Sequence, residues 1–169
     1  MKNKIYCQTS LGLIGIAEDG RSITNLWFQK ERAPDEAVEN ETDLLVEAKE
    51  QLSDYLSGRR KEFTIPLAPS GTPFMLKVWE GLRAIPYGQT RSYGEIARCI
   101  GSPGSSRAVG MANNRNPISI FIPCHRVIGA NGKLVGYLGG LDIKEKLLHL
   151  ERQGRSYESM DCIEYMEGI

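Results

Sequence analysis

Histidine is nearly missing from this chain: there are two, His125 and His149, and neither belongs to a run of metal-ligand residues. A metal site built on them needs long-range convergence that no spacing announces, so no metal is expected. The four cysteines, Cys7, Cys99, Cys124 and Cys162, stand far apart with no C-x-x-C pair, which argues against both a disulfide framework and a zinc ribbon. No apolar run approaches the roughly 20 residues that cross a bilayer. The start, Met1-Lys2-Asn3-Lys4, leads into a strand-like segment and not into a signal-peptide core, so a cytoplasmic protein with no membrane partner is expected. Net charge is missing too, with 21 basic and 21 acidic residues. The balance is uneven along the chain: residues 1–73 carry 9 Lys/Arg against 12 Asp/Glu, residues 74–133 carry 8 against 2, and residues 134–169 carry 4 against 7. A basic middle suits a phosphate backbone, because neutralised phosphates release counterions. A solvated basic face without a partner gives the same counts.

What is present describes an ordinary globular chain, 41% hydrophobic and 25% charged, long enough to bury a core as one domain or two small ones. Ile5 to Phe28 is short-period and broken by Gly12, Gly15 and Gly20, which predicts hairpin-linked strands. Leu44, Leu45, Ala48, Leu52, Tyr55 and Leu56 fall at helical spacing from Asp43, and Phe63 to Leu67 offers one more strand. Pro66 to Thr72 reads as a linker. Thr72-Pro73 opens a helix through Leu82, and Ile85 to Gln89 ends it in a turn. Ser92-Tyr93-Gly94-Glu95 is a capping box before a short helix to Ile100. The turn Gly101–Gly104 and a second helix over 105–114 complete a helix-turn-helix pattern in the basic segment. Later signals are an Asn131-Gly132 hairpin turn, a tight loop at Gly136–Gly140, and a second capping box, Asp142 to Glu145, opening a helix to about Arg152. The predicted architecture is α+β (α/β), with a mixed-sheet domain over 1–70, a mostly helical domain over 71–155 and an acidic tail over 156–169.

Chemistry points to Ile122-Pro123-Cys124-His125-Arg126-Val127-Ile128. Cysteine reacts as its thiolate, a minor species at neutral pH unless a base or cation stands nearby, and His125 and Arg126 can supply either. A buried structural Cys beside a turn-capping His explains the dipeptide equally well.

Pro123-Cys124-His125-Arg126-Val127, with Arg107-Ala108-Val109-Gly110, Asn116-Pro117, and Tyr137 followed by Gly139-Gly140-Leu141, resembles the O6-alkylguanine-DNA alkyltransferases, the methylated-DNA–protein-cysteine methyltransferases. The likeness runs from Phe74 to about Gly154 in family order and spacing, and the first third resembles the family's ribonuclease-H-like domain more loosely. It implies direct repair of double-stranded DNA carrying O6-alkylguanine, with O4-alkylthymine as a second candidate substrate. The damaged base is flipped out and its alkyl group passes once, irreversibly, to Cys124, by a monomer that needs no cofactor.

The resemblance also implies roles. Cys124 is the nucleophile, His125 the base acting through a water, and Glu151 the carboxylate that orients His125. Tyr93 protonates the departing guanine, and Asn116 ties the recognition helix to the active-site strand. Arg107 fills the place of the flipped base, while Ala108 and Gly110 allow close approach to the minor groove. Ser92, Asn114 and Arg115 join the DNA-contacting set. Val127, Tyr137, Leu138, Gly139 and Lys144 surround the base, with backbone carbonyls of Cys124 and Val127 reading its exocyclic amine. Leu138 stands where relatives often carry a small residue, which predicts a narrower pocket or a polar contact to O6 supplied only by backbone, and an exposed helix-start lysine accounts for Lys144 equally well. Rival readings are a family relative that binds the lesion without accepting the alkyl group, a helix-turn-helix transcription regulator, and a cysteine hydrolase.

Overall fold

The computed structural model describes residues 2–153, so the expected acidic tail and Cys162 lie outside the described residues. The described residues divide into two compact units, one holding those up to Ser70 together with Pro117–Phe121, the other Gly71–Asn116 and Ile122 to Gln153.

The first unit is a four-stranded sheet with one helix. β1 (Lys2–Thr9), β2 (Gly12–Glu18) and β3 (Ile23–Phe28) pair antiparallel in sequence, and β4 (Ala37–Glu39) adds parallel to β1. The expected hairpins are therefore present. Gly15 is required by packing: it faces Trp27 across the β2–β3 ladder, and a Cβ there would lie 2.2 Å from the indole ring. α1 (Asp43–Leu56) starts where Thr42 Oγ1 accepts the Leu45 N–H at 3.3 Å, a side-chain cap for an otherwise orphaned donor. Its buried stripe of Leu45, Ala48, Leu52 and Tyr55 packs across β1, β2 and β3.

The strand expected over Phe63–Leu67 does not form. Leu67 makes a single bridge to Ile23, and Pro66 contributes only its carbonyl, accepting from the Ile23 N–H at 2.8 Å. A proline without an N–H cannot extend a ladder. Phe63 instead packs on Tyr55 and Phe121, with ring centroids 5.2 and 4.7 Å away. Pro117–Phe121 also docks on β3, through the Leu26 N–H donating to the Pro117 carbonyl at 2.9 Å. Within it Ile120 is buried at φ 72°, a left-handed conformation that a β-branched residue rarely adopts.

The second unit is mostly helical. α2 (Pro73–Arg83) carries Thr72 as N-cap and Pro at its first position, as expected. β5 (Arg91–Ser92), α3 (Tyr93–Cys99) and α4 (Ser106–Asn114) follow, with glycines at positive φ, Gly101 and Gly104, making the turn between the two short helices. Ser92 Oγ accepts the Glu95 N–H at 3.1 Å, the first half of the predicted capping box. Trp79 of α2 donates from Nε1 to the Ala112 carbonyl at 2.8 Å and so fixes α4.

Beyond α4, a single 3-10 turn (Cys124–Arg126) leads into β6 (Val127–Ile128), which pairs parallel with β5, and α5 (Leu141–Gln153) closes the unit. Two local expectations fail here. Asn131-Gly132 makes its turn, with the Gly132 N–H on the Gly129 carbonyl at 2.9 Å, but no strand follows; the Val135 and Gly136 carbonyls face the Lys144 ammonium instead of a partner strand. Asp142 does not cap α5. The helix begins at Leu141, and the Gly140 carbonyl accepts its first bond, from the Lys144 N–H at 3.1 Å. Asp142 keeps the smaller benefit of an acid in the first turn.

Candidate active site

Proline shapes the centre of the second unit. Pro123 stands before Cys124 at φ −80°, ψ 64°, and its fixed ring directs the chain into the 3-10 turn. Cys124, His125 and Arg126 are therefore presented from three successive backbone positions, all buried. Two amides from α4 and its exit hold the approach to this turn. Asn116 Nδ2 donates to the Ile122 carbonyl at 2.8 Å, and Asn113 Nδ2 donates to the Cys124 carbonyl at 3.4 Å.

His125 meets Glu151 of α5, with Nε2 to Oε2 at 2.6 Å and side-chain exposures of 0% and 1%. A carboxylate only accepts, so Nε2 carries the hydrogen and Nδ1 is left as the basic nitrogen. Arg126 grips the same carboxylate twice, Nε to Oε1 at 2.8 Å and Nη2 to Oε2 at 3.0 Å, while Nη1 donates to the Ile85 carbonyl at 2.7 Å. The Gly88 N–H adds a further bond to Oε1 at 3.1 Å, from a turn that needs Gly88 at φ 80°. The guanidinium lies 5.8 Å over the Tyr87 ring, within cation–π range.

Burial pushes His125 below its ordinary value, although Glu151 pulls the other way, so the ring is neutral at neutral pH. For Glu151 burial alone pushes the carboxyl up, but the His125 hydrogen bond and the Arg126 guanidinium outweigh it and hold the group well below the carboxylate range. The result is a neutral base backed by a fixed anion.

For Lys144 the structure removes one of the two readings left open. It is not an exposed helix-start lysine: its exposure is 0%, and Nζ donates to the carbonyls of Val127, Val135 and Gly136 at 2.6, 2.9 and 3.3 Å. Burial drives its pKa down to about 8, with Cys124 opposing the shift. Tyr93 donates its hydroxyl to the same Val135 carbonyl at 3.2 Å. Its pKa is raised, first by burial and then by Cys124, so it remains a phenol.

Among the other expected residues, Arg107, Ala108, Asn114 and Arg115 stand exposed on α4 and its exit. Gly110 does not join them; a Cβ there would touch the Tyr93 ring at 3.8 Å, so it lies where α4 packs on Tyr93. Ser92 serves as the α3 N-cap. Val127 and Gly139 are buried, Tyr137 is half-buried, and Leu138 is 39% exposed. The Val127 and Cys124 carbonyls already accept internal bonds, from Lys144 and Asn113, and each carbonyl has a second lone pair. Sequence reasoning missed Asn113, Gly88 and the double grip of Arg126 on Glu151. Only the adjacency of Arg126 to the Cys-His pair hinted at the last. Among the described residues no three His, Cys, Asp or Glu side chains converge as a metal cage, and no helix is long and apolar enough to cross a membrane.

Comparison with known proteins agrees along nearly the whole chain. Residues 73–153 match the family described as 6-O-methylguanine DNA methyltransferase, DNA binding domain, and residues 3–69 match its ribonuclease-like domain. A methylated-DNA–protein-cysteine methyltransferase of Methanosarcina acetivorans is 54% identical over 148 residues, covering 85% of this chain and 94% of that protein. The constitutive methylated-DNA–protein-cysteine methyltransferase of Bacillus subtilis is 51% identical over 152 residues, covering 86% and 92%. Among solved structures, Mycobacterium tuberculosis OGT in complex with DNA superimposes with a TM-score of 0.86 at 40% identity, covering 97% of this chain and 98% of that one.

Proposed function

The chain belongs to the 6-O-methylguanine DNA methyltransferase family, and from that premise we propose that it repairs DNA directly, moving the alkyl group of O6-alkylguanine onto its own Cys124. It is a methylated-DNA–protein-cysteine methyltransferase that acts once per molecule. The observation that carries the assignment of residues is the buried turn that presents Cys124 beside His125, with His125 held by Glu151 at 2.6 Å.

In the proposed reaction the exposed side of α4 lies along the minor groove, where Arg107 takes the place of the extruded nucleotide and Ala108 permits close approach. Asn114 and Arg115 contact the backbone. The flipped base enters beside Cys124, Tyr137 and Gly139. The Cys124 thiol proton leaves toward His125 through a water, and the sulfur attacks the alkyl carbon in line. The S–C bond forms as the C–O6 bond breaks. The electron pair departs onto the guanine and is quenched by the Tyr93 hydroxyl proton at N3; that proton is regained from His125 through solvent, so the net change is thiol plus alkylguanine to thioether plus guanine. The raised pKa of Tyr93 suits it to hold a proton until the leaving group develops charge. We place the protein in the cytoplasm, acting as a monomer on double-stranded DNA.

A relative that binds the lesion without accepting its alkyl group has no use for an intact nucleophile, and Cys124 is present with its base. Intact-mass measurement after incubation with an O6-methylguanine oligonucleotide tests the assignment. One methylene should be gained per protein and located on Cys124. An unmodified wild-type protein, or a Cys124→Ala variant that still gains the mass, overturns it.

A further inference from the structure

We propose that Arg126 is a positioning residue whose task is to keep His125 neutral, and so able to take the Cys124 proton, by supplying the positive charge that Glu151 requires. The proposal deepens the repair reading and rests on it. It begins with a count of buried charge. Glu151 is an anion inside the protein, and a buried anion demands a compensating cation. Two groups touch it that could serve, His125 at 2.6 Å and Arg126 at 2.8 and 3.0 Å. With the guanidinium in place the set is already balanced: one cation, one anion and a neutral ring. A second cation on His125 would leave the cluster with an uncompensated charge in a site that is 0% exposed at His125.

Other charged or titratable groups near the pair do not take over this task. Lys144, on α5 with Glu151, commits its ammonium to the three carbonyls of Val127, Val135 and Gly136. Tyr87, on the turn after α2, offers its ring face to Arg126, and Tyr93 of α3 donates to Val135. Cys124, one residue before His125, is the proton's source. Arg126 touches both carboxylate oxygens.

The side chain must also be arginine. One planar group reaches Oε1, Oε2 and the Ile85 carbonyl in three directions, which the point charge of a lysine cannot reproduce. Through the Ile85 bond Arg126 sets where Glu151 sits, and with Glu151 the face of His125 that remains basic.

The test is a pH titration of the His125 ring by nitrogen-correlated NMR on the full chain, with the exposed His149 as internal reference. In wild type the His125 midpoint should lie below that of a free imidazole, leaving the ring neutral at pH 7. In Arg126→Gln its midpoint should rise by about one to three units relative to wild type. Arg126→Lys should hold the ring largely neutral, because it keeps the charge and loses only the fit. Removing both charges, Arg126→Gln with Glu151→Gln, should bring the midpoint back toward its wild-type value, an outcome that loosened packing alone would not give. A wild-type His125 that is cationic at pH 7, or an unmoved midpoint in a folded Arg126→Gln protein, overturns the proposal; the wild-type arm stands even if a variant fails to fold. Because the titration needs no DNA, its result is independent of whether Cys124 accepts an alkyl group.

Discussion

Replacing Lys144 by methionine removes a buried ammonium while nearly preserving the length of the side chain, and the structure allows its cost to be worked bond by bond. Three carbonyls lose a donor. Val135 keeps the Tyr93 hydroxyl at 3.2 Å, and Gly136 is exposed, so water can replace what it loses. Val127 is fully buried and loses its 2.6 Å partner. One buried acceptor left unsatisfied costs about 1–3 kcal/mol, and relief of the burial that pushes the ammonium down to about 8 offsets it, so Tm should change little. Locally the effect is larger, since Lys144 is what ties Val135 and Gly136 to the turn that carries Cys124. Hydrogen exchange across residues 134–140 should accelerate well beyond the change in global stability, and alkyl transfer should slow with it.

The wild-type protein offers a second arm of the same test. Its Lys144 titrates near pH 8, below the ordinary 10.5. Between these values the unfolded chain binds the proton that the folded chain has released, so this group's contribution to stability rises with pH through that window and none is lost. A neutral amine nevertheless has two hydrogens for three carbonyls. Exchange over 134–140 should therefore speed up above about pH 8 in wild type without any drop in Tm from this residue, and the methionine variant should lack the step. Unchanged exchange over 134–140 in Lys144→Met would refute the reasoning.

Two further substitutions test the frame around the site. Asn116→Leu should cost about 0.5–1.5 kcal/mol, because the buried Ile122 carbonyl loses a 2.8 Å donor and keeps only the Cys124 N–H at 2.8 Å, whereas Asn113→Leu should cost less, since its bond is long and its Oδ1 is already a buried acceptor without a partner; thermal melts giving the reverse order contradict the geometry. Gly15→Ala places a methyl within 2.2 Å of the Trp27 ring, and the forced repacking should cost about 1–3 kcal/mol and shift tryptophan fluorescence, a result absent if the indole swings away freely.

The parts of this structure legible in the sequence are those whose cause lies within a few residues. Thr72 and Ser92 cap the helices they precede, the glycine-punctuated strands pair with their neighbours, and Pro-Cys-His-Arg marks the turn that carries Cys124. What escaped is set by distance. Nothing local says that Arg126 and Glu151, 25 residues apart, share two bonds, or that the Gly88 turn supplies a third donor to the same carboxylate. The placing of Glu151 opposite His125 rested on likeness to a family, not on spacing. Lys144 shows the opposite failure. Its local context, a charged residue in a first helical turn, is ordinary for a solvated side chain, and only the fold aims three carbonyls at it. The missing hairpin after Asn131-Gly132 has the same origin, since the Val135 and Gly136 carbonyls turn toward a buried ammonium and not toward a neighbouring strand.

The buried charges also explain why such a site works once. On the proposed roles the resting cluster holds Arg126 and Glu151 in balance, with Cys124 and His125 neutral. Moving the thiol proton to His125 makes a thiolate and an imidazolium, which cancel. Attack turns the thiolate into a neutral thioether just as Tyr93 surrenders its proton, so a phenolate now balances the imidazolium, and proton return restores both to neutrality. At no stage does the total buried charge change, and a desolvated site can therefore run the sequence without the large cost of an isolated ion. The final state differs from the first in one respect: the sulfur has no proton to give. His125 acts only by accepting that proton, so the neutral base that makes the thiolate accessible has nothing to act on in the thioether. Cys124 is consumed because the site is built to activate a thiol and to do nothing else.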